Sequence, residues 1–271
     1  MQKALFTDLD GTLLNDRGQI TEKNREAIRA FTEDGHQFIL ATGRPLLSGI
    51  LQAQSLGLDR EGCYMIAFNG CILYDLGRKK TLFRTALPLP VTREIFRLAR
   101  EFGLHIQTYD EKDVLAEPDS DRQILEGYCK RLGVSYRILP QIADLTREPE
   151  KILVIELQDL AKLDAFHQAL EELAGDQIDA YHSNPNYLEI VVKGMNKGKA
   201  LERMCGLLGI PAEGTCAAGD AANDIGMLGA AHIGYAVANA DPAVKAAADR
   251  VTVHDNNHDA IAEIIEALLA E

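Results

Sequence analysis

The chain lacks a basic run, a paired cysteine motif and a long apolar stretch, and each absence removes a class of protein. Lysine and arginine number 28 against 41 aspartates and glutamates, a formal net charge of −13. Nucleic acid binding needs a positive footprint that displaces counterions, so a nucleic-acid partner is not expected. An acidic surface still admits a phosphorylated ligand, because a bound divalent cation inverts the local field. No segment approaches the ~20 apolar residues of a membrane span, so no membrane partner is expected either. At the N-terminus, Asp8 and Asp10 interrupt the apolar run before it could serve as a signal-peptide core. The five cysteines (Cys63, Cys71, Cys129, Cys205 and Cys216) form no CxxC pair and are odd in number. They read as reduced, small core hydrophobes of a cytoplasmic protein.

What is present is a 271-residue chain, 46% hydrophobic and 25% charged, enough for one large α/β domain or two smaller ones. Short apolar runs at Ala4 to Thr7, Phe38 to Ala41 and Tyr64 to Phe68 predict strands. Between the first two, Thr21 can cap a helix that carries Ala27, Ile28 and Phe31 on one face and stops at Gly35. That rhythm argues for a parallel sheet with helices on its faces. After Asn69-Gly70 the pattern changes. Cys71 to Ala86 reads as two strands joined at Asp75-Leu-Gly77, and Leu87 to Pro90 as a linker before a helix from about Thr92 to Phe102.

Strands are then expected at 104–109, 135–139, 151–157 and Tyr187 to Val192, with helices at 120–132 and 160–174. Beyond Lys193 the first rhythm resumes. Leu201, Met204, Cys205 and Leu208 mark a helix face, Thr215 to Ala218 a buried strand and Ala260 to Leu269 a terminal helix. The expected organisation is one α/β domain, 1–83 and 190–271, interrupted by an inserted α+β domain at 84–189.

Four strands end in a polar residue: Asp8, Thr42, Asn69 and Asp220. Ligands of open parallel sheets bind beyond the carboxyl ends of the strands, near a switch point, so shared sheet membership would bring the four together. In Asp8-Leu-Asp10-Gly11-Thr12, two carboxylates leaving a strand can share one hard cation, which for Mg²⁺ means carboxylate, phosphate and water oxygens. One can serve as nucleophile toward phosphorus and the other as general acid/base. An Asp-Gly turn held by its own side chains is the plainer alternative.

Thr42 and Gly43 can offer a hydroxyl and a backbone N–H to a phosphate oxygen, or form an ordinary strand-to-helix turn. Lys197 can offset charge between Asp8 and a phosphate, or sit as a solvated lysine at a helix start. It is not a Walker A lysine, because only three residues separate Gly194 from Gly198 and Ala200 follows Lys199. Asp220 can complete a metal shell. Asn223 and Asp224 can reach phosphate or a metal-bound water, or merely complement a helix dipole. His254 and His258 have helical metal-pair spacing, but the Asp255-Asn-Asn257 between them reads as a loop. His182, Asn184, Asn186 and Arg122 in the inserted domain read as surface residues.

With these residues assembled, the chain resembles the haloacid dehalogenase superfamily and, within it, the Cof-like sugar-phosphatase group. DLDGTL at 8–13, ATGR at 41–44, NKGKAL at 196–201 and GDAANDIGML at 219–228 follow the order of that family's four motifs. The phrases FNGCILYD at 68–75 and AVANADPAVKAAAD at 236–249 add to the likeness. The resemblance implies a Rossmann-like core with an α/β cap that closes over the site, and Mg²⁺ as cofactor. It implies Asp8 as nucleophile and metal ligand, and Asp10 as general acid/base that lends a backbone carbonyl to the metal. Thr42, Gly43, Lys197 and Asn223 would bind phosphate, Asp220 would ligate Mg²⁺, and Asp224 would stand in or behind the metal shell.

Departures from the family pattern are Ala221 after the Gly-Asp pair, the tail Ala238-Asn239-Ala240, and His258-Asp259-Ala260. None removes a motif side chain. The expected partner is a small phosphorylated metabolite, a sugar phosphate being the family's usual class, and the expected state a monomer or small homo-oligomer. The alternatives are a phosphomutase of the same superfamily and a non-catalytic phospho-metabolite-binding protein.

Overall fold

The computed structural model describes residues 2–270, and among them the chain divides into two compact units. One takes the chain up to Arg44, Gly49–Phe83 and everything from Asn196 onward; the other takes Pro45–Ser48 and Arg84–Met195.

The first unit is built on an eight-stranded sheet. Its strands are β1 (Ala4–Asp8), β2 (Gln37–Ala41), β3 (Cys63–Ala67), β4 (Ile72–Asp75), β5 (Lys80–Arg84), β12 (Thr215–Gly219), β13 (Ile233–Ala236) and β14 (Arg250–Val251). They lie in the order β14-β13-β12-β1-β2-β3-β4-β5, parallel from β14 to β3, with β4 antiparallel to β3. β1 and β12 are buried along their whole length, which is why each reads as a continuous apolar run and not an alternating one.

Connecting helices bury the sheet. α1 (Glu22–Glu33) is capped by Thr21, whose hydroxyl accepts from the Asn24 N–H, and its buried face is Asn24, Ile28 and Phe31. Ala27, expected on that face, is only half-buried. α2 (Leu46–Ser55) follows β2. α6 (Lys197–Leu208) buries Leu201, Met204 and Cys205 as its apolar spacing predicts, while Leu208 packs partly buried at the edge. α7 (Ile225–Ala230), α8 (Pro242–Ala247) and α9 (Ala260–Ala270) complete the cover, α9 packing along α1. The chain leaves β1 for β2 on one side, while β12 returns on the other, so β1/β12 is the topological switch point.

The second unit is a six-stranded sheet in the order β10-β11-β9-β6-β7-β8, antiparallel except for the β7/β8 pair. Its strands are β6 (His105–Tyr109), β7 (Asp113–Ala116), β8 (Ser135–Ile138), β9 (Ile152–Ile155), β10 (Ile178–Asn184) and β11 (Tyr187–Val192). α3 (Leu89–Glu101), α4 (Arg122–Leu132) and α5 (Leu160–Ala174) are its helices. Two sequence expectations need correction. α3 begins at Leu89, because Pro90 in a first helical turn forfeits only an N–H that has no partner there anyway. β7 and β10 are strands where none is expected: β10 mixes polar residues into a half-buried run, while β7 offers only the short buried Val114–Ala116 run behind a polar stretch. One sheet face carries Ile106, Leu115, Val154, Leu188 and Ile190 against Phe96 and Phe166 of α3 and α5. The sheet also buries a Lys151–Glu189 ion pair of 2.5 Å and a 2.8 Å hydrogen bond between the Tyr109 and Tyr128 hydroxyls.

Candidate active site

β1, β2, β3 and β12 all end on one edge of the first sheet, and their polar successors meet there. β1 delivers Asp8, nearly buried, and the chain then turns through Gly11 at φ +85°. Glycine is needed at this point twice over. The left-handed backbone disfavours a side chain, and a Cβ here would lie 2.5 Å from Asp220 Oδ2. The approach lets Thr12 Oγ1 donate to Asp220 Oδ1 at 2.7 Å, so the two ends of the chain are joined by the DxDGT turn itself.

β12 leads directly into Asp220, and a 3₁₀ turn, Ala222–Asp224, carries the next carboxylate back toward it. Asp224 is fully buried; its Oδ2 accepts from the backbone N–H groups of Asp220 at 3.0 Å and Ala221 at 3.1 Å. The first residue of α6 is Lys197, capped from below by Asn196 and only 1% exposed. Its Nζ donates to Asp8 Oδ1 at 2.5 Å and to Asp224 Oδ1 at 2.6 Å. The solvated lysine that a helix start usually implies is therefore not what this position holds.

Among the described residues, one cluster of three metal-type side chains occurs: Asp8, Asp220 and Asp224, each with a carboxylate oxygen within 4.8 Å of the others. Burial raises the Asp8 carboxyl well above the usual carboxylate range, with Lys197 opposing and Asp224, Asp220 and Asp10 adding to the rise. Burial likewise lifts Asp220 to about 6, against the Thr12 hydrogen bond and with Asp224 adding. Burial works to lower the Lys197 ammonium, yet Asp224 and Asp8 outweigh it and hold it above the ordinary lysine value. Three crowded carboxylates with one ammonium between them leave a deficit of positive charge. The all-oxygen donor set and that deficit fit a hard divalent cation.

Asp10 stands apart from the cluster. Its side chain is half-exposed and held from both oxygens by Arg44, Nε to Oδ2 at 2.8 Å and Nη2 to Oδ1 at 2.6 Å. Arg44 follows Thr42 and Gly43 at the end of β2, and its N–H donates to Thr42 Oγ1 at 3.1 Å. Thr42 is buried, donating its own N–H to the Ile66 carbonyl of β3 at 2.8 Å. Asn223, in the turn after β12, donates from Nδ2 to Asn69 Oδ1 at 3.2 Å. The sequence-derived set Asp8, Asp10, Thr42, Gly43, Lys197, Asp220, Asn223 and Asp224 thus lies on one sheet edge.

Sequence reasoning assigned no role to Arg44, Thr12 or Asn239. Arg44 and Thr12 were inside recognised motifs, so their position was the available signal. Asn239, in the divergent tail, donates from Nδ2 to the Gly11 carbonyl at 2.7 Å, and its Oδ1 accepts from the Asn256 N–H at 3.0 Å. No sequence pattern marks that tether. His254 pairs with Glu263 at 2.8 Å and His258 with Asp255 at 2.6 Å, each ring engaged by its own carboxylate.

Comparison with known proteins finds relatives over nearly the whole chain. The sequence model described as haloacid dehalogenase-like hydrolase matches residues 5–265. The pyridoxal phosphate phosphatase YbhA of Escherichia coli is 30% identical over 97% of both chains. The 5-amino-6-(5-phospho-D-ribitylamino)uracil phosphatase YitU of Bacillus subtilis is 26% identical over 96% of this chain and 94% of its own. A haloacid dehalogenase-like hydrolase from Bacteroides thetaiotaomicron superposes with a TM-score of 0.88 at 30% identity, covering 99% of this chain and 100% of that one. All five cysteines are buried thiols, and no helix among the described residues is long and apolar enough to cross a membrane.

Proposed function

The chain is a phosphoric monoester hydrolase belonging to the haloacid dehalogenase-like hydrolases, and we propose that it hydrolyses a small phosphorylated metabolite, with Mg²⁺, through a phosphorylated Asp8. The observation that carries this reading is the buried Lys197 ammonium, 2.5 Å from Asp8 and 2.6 Å from Asp224, beside the Asp220 carboxylate. Nothing in a folded core requires such a concentration of buried charge. A phosphoryl group entering it supplies the anion that ammonium and cation together bind.

In this reading Asp8 attacks phosphorus, the ester P–O bond breaks, and Asp10 gives its proton to the departing oxygen. Asp10 then takes a proton from the water that attacks the aspartyl-phosphate, releasing inorganic phosphate and regenerating Asp8. Lys197 holds Asp8 in position and offsets charge on the transferring oxygens. Thr42, Gly43 and Asn223 bind those oxygens. Asp8 and Asp220 would hold Mg²⁺, with Asp10 contributing its backbone carbonyl. Asp224, with Lys197 and two backbone N–H groups already on its carboxylate, would stand behind them. When bound, the cation neutralises charge on the carboxylates and on phosphate, and favours the ionised Asp8 that attack requires.

The inserted unit, expected at 84–189 and compact over Arg84–Met195, would form the cap that reads the non-phosphate part of the substrate. A sugar phosphate is the expected class; the named substrates of the relatives, pyridoxal phosphate and a phosphoribitylaminouracil, widen the panel to test. The buried thiols support a reducing, cytoplasmic setting. The test is phosphate release from a panel of phosphorylated metabolites, with Mg²⁺ and with EDTA, alongside Asp8→Asn. Metal-dependent release that disappears in the variant is expected. Release that survives Asp8→Asn, or none from any compound, would sink the proposal.

A further inference from the structure

Asn69 occupies a backbone conformation that few residues tolerate. It lies at φ 54°, ψ 28° in the turn after β3, between Phe68 at φ 51° and Gly70 at φ 118°. Left-handed geometry at a non-glycine residue is strained, least so for asparagine, and such strain persists where surrounding contacts enforce it. Here those contacts lead toward the phosphate-binding groups. The Asn69 N–H donates to the Thr42 carbonyl at 3.1 Å, tying the β3 turn to the β2 turn. Its Oδ1 accepts from Asn223 Nδ2 at 3.2 Å, reaching the turn after β12. Its amide lies so close to Gly43 that a Cβ there would sit 3.0 Å from Oδ1 and 3.1 Å from Nδ2. The adjoining Gly70 leaves no space for a Cβ either, which would fall 2.7 Å from the carbonyl of Asn196, just before Lys197. Asn69 is 1% exposed, so none of this serves solvent.

We propose that Asn69 is the positioning residue of the phosphate cradle, holding Thr42, Gly43 and Asn223, from two separate turns, at one mutual spacing. It rests on the reading of those three as phosphate ligands. The physical reason for such a residue lies in the sheet: β3 is separated from β12 by β2 and β1, so no backbone ladder connects their turns. A side-chain amide spanning the gap fixes the cradle before the ligand arrives, which lowers the ordering cost of binding.

The test compares calorimetric binding of inorganic phosphate, in the presence of Mg²⁺, by the full chain and by Asn69→Gly, Asn69→Ala, Asn223→Ala, Thr42→Val and the Asn69→Gly/Asn223→Ala double variant. Asn69→Gly keeps the left-handed turn without strain and removes only the amide, so it stays informative if Asn69→Ala does not fold. The expected result is a Kd for phosphate raised roughly five- to tenfold in Asn69→Gly with its melting midpoint little changed. The double variant should be weaker than Asn223→Ala alone by clearly less than the Asn69→Gly effect in the parent, because part of what the Asn69 amide does passes through Asn223 and the rest through Gly43. A merely structural role would shift the midpoint and leave that coupling at zero. Phosphate binding by Asn69→Gly equal to the parent, while Thr42→Val and Asn223→Ala weaken it, overturns the inference and leaves the site reading standing. Undiminished binding in Thr42→Val and Asn223→Ala overturns the site reading itself.

Discussion

Replacing Lys197 with methionine is the sharpest perturbation the site allows, because methionine fills a similar volume and deletes the charge together with its two hydrogen bonds. The ammonium lies 2.5 Å from one carboxylate and 2.6 Å from another, both almost fully buried. At an effective dielectric near 20, each contact contributes about 6 kcal/mol before the cost of dehydrating the ammonium. That cost removes much of the gain, but the variant leaves two buried carboxylates uncompensated, and breaking a buried ion pair in this way costs about 3–5 kcal/mol. For a chain of this size the melting midpoint should fall by on the order of 10 °C in EDTA at neutral pH.

The pH dependence carries a sign. Asp8 already has a raised folded-state pKa, through burial, so its contribution is fully present below the unfolded carboxylate value and is lost as pH rises through the folded one. Deleting Lys197 raises that value further, so the deficit should widen from acid toward neutral pH. Unfolding followed by circular dichroism across pH, with and without Mg²⁺, measures it. A midpoint within a degree of the parent at neutral pH in EDTA, or a deficit that grows toward acid pH, would refute the electrostatic reasoning.

Four further outcomes are expected. Arg44→Lys removes the two-point grip on Asp10 and should lower kcat roughly tenfold on alkyl phosphates but much less on aryl phosphates, whose leaving groups need little protonation; steady-state kinetics across a leaving-group series reads this. Asp220, held at about 6 chiefly by burial, binds a proton below that pH, so apparent Mg²⁺ affinity should fall by roughly tenfold per unit as pH drops below it, as measured by titration calorimetry. Gly11→Ala places a Cβ 2.5 Å from Asp220 Oδ2 in a left-handed turn, and chemical denaturation should show a loss of about 1–3 kcal/mol together with weakened Mg²⁺ binding. Asn239→Ala frees the Gly11 carbonyl and should cut kcat/KM by roughly three- to tenfold while costing about 1 kcal/mol or less, since the tether is half-exposed.

Much of this protein was legible in its sequence, and the legible part has one physical character. Strands buried on both faces must be continuously apolar, so β1, β2 and β12 announce themselves, and the polar residue that ends each must lie at the sheet edge where ligands bind. Helix caps such as Thr21 satisfy N–H groups a few residues away, so they too are written locally. The motif residues Asp8, Thr42 and Asp220 follow from that logic. β10 did not, because a half-buried strand owes its existence to neighbouring strands and not to its own composition.

Tertiary structure alone decided the charge state and the constraints of the site. Whether Lys197 faced water or two carboxylates depended on where α6 docked, and nothing within α6 specifies that. The grip of Arg44 on Asp10, the Thr12 bond to Asp220 and the Asn69 brace to Asn223 each join segments distant in sequence. Their energies depend on burial and on separations of a few ångströms, quantities that exist only once the chain has folded.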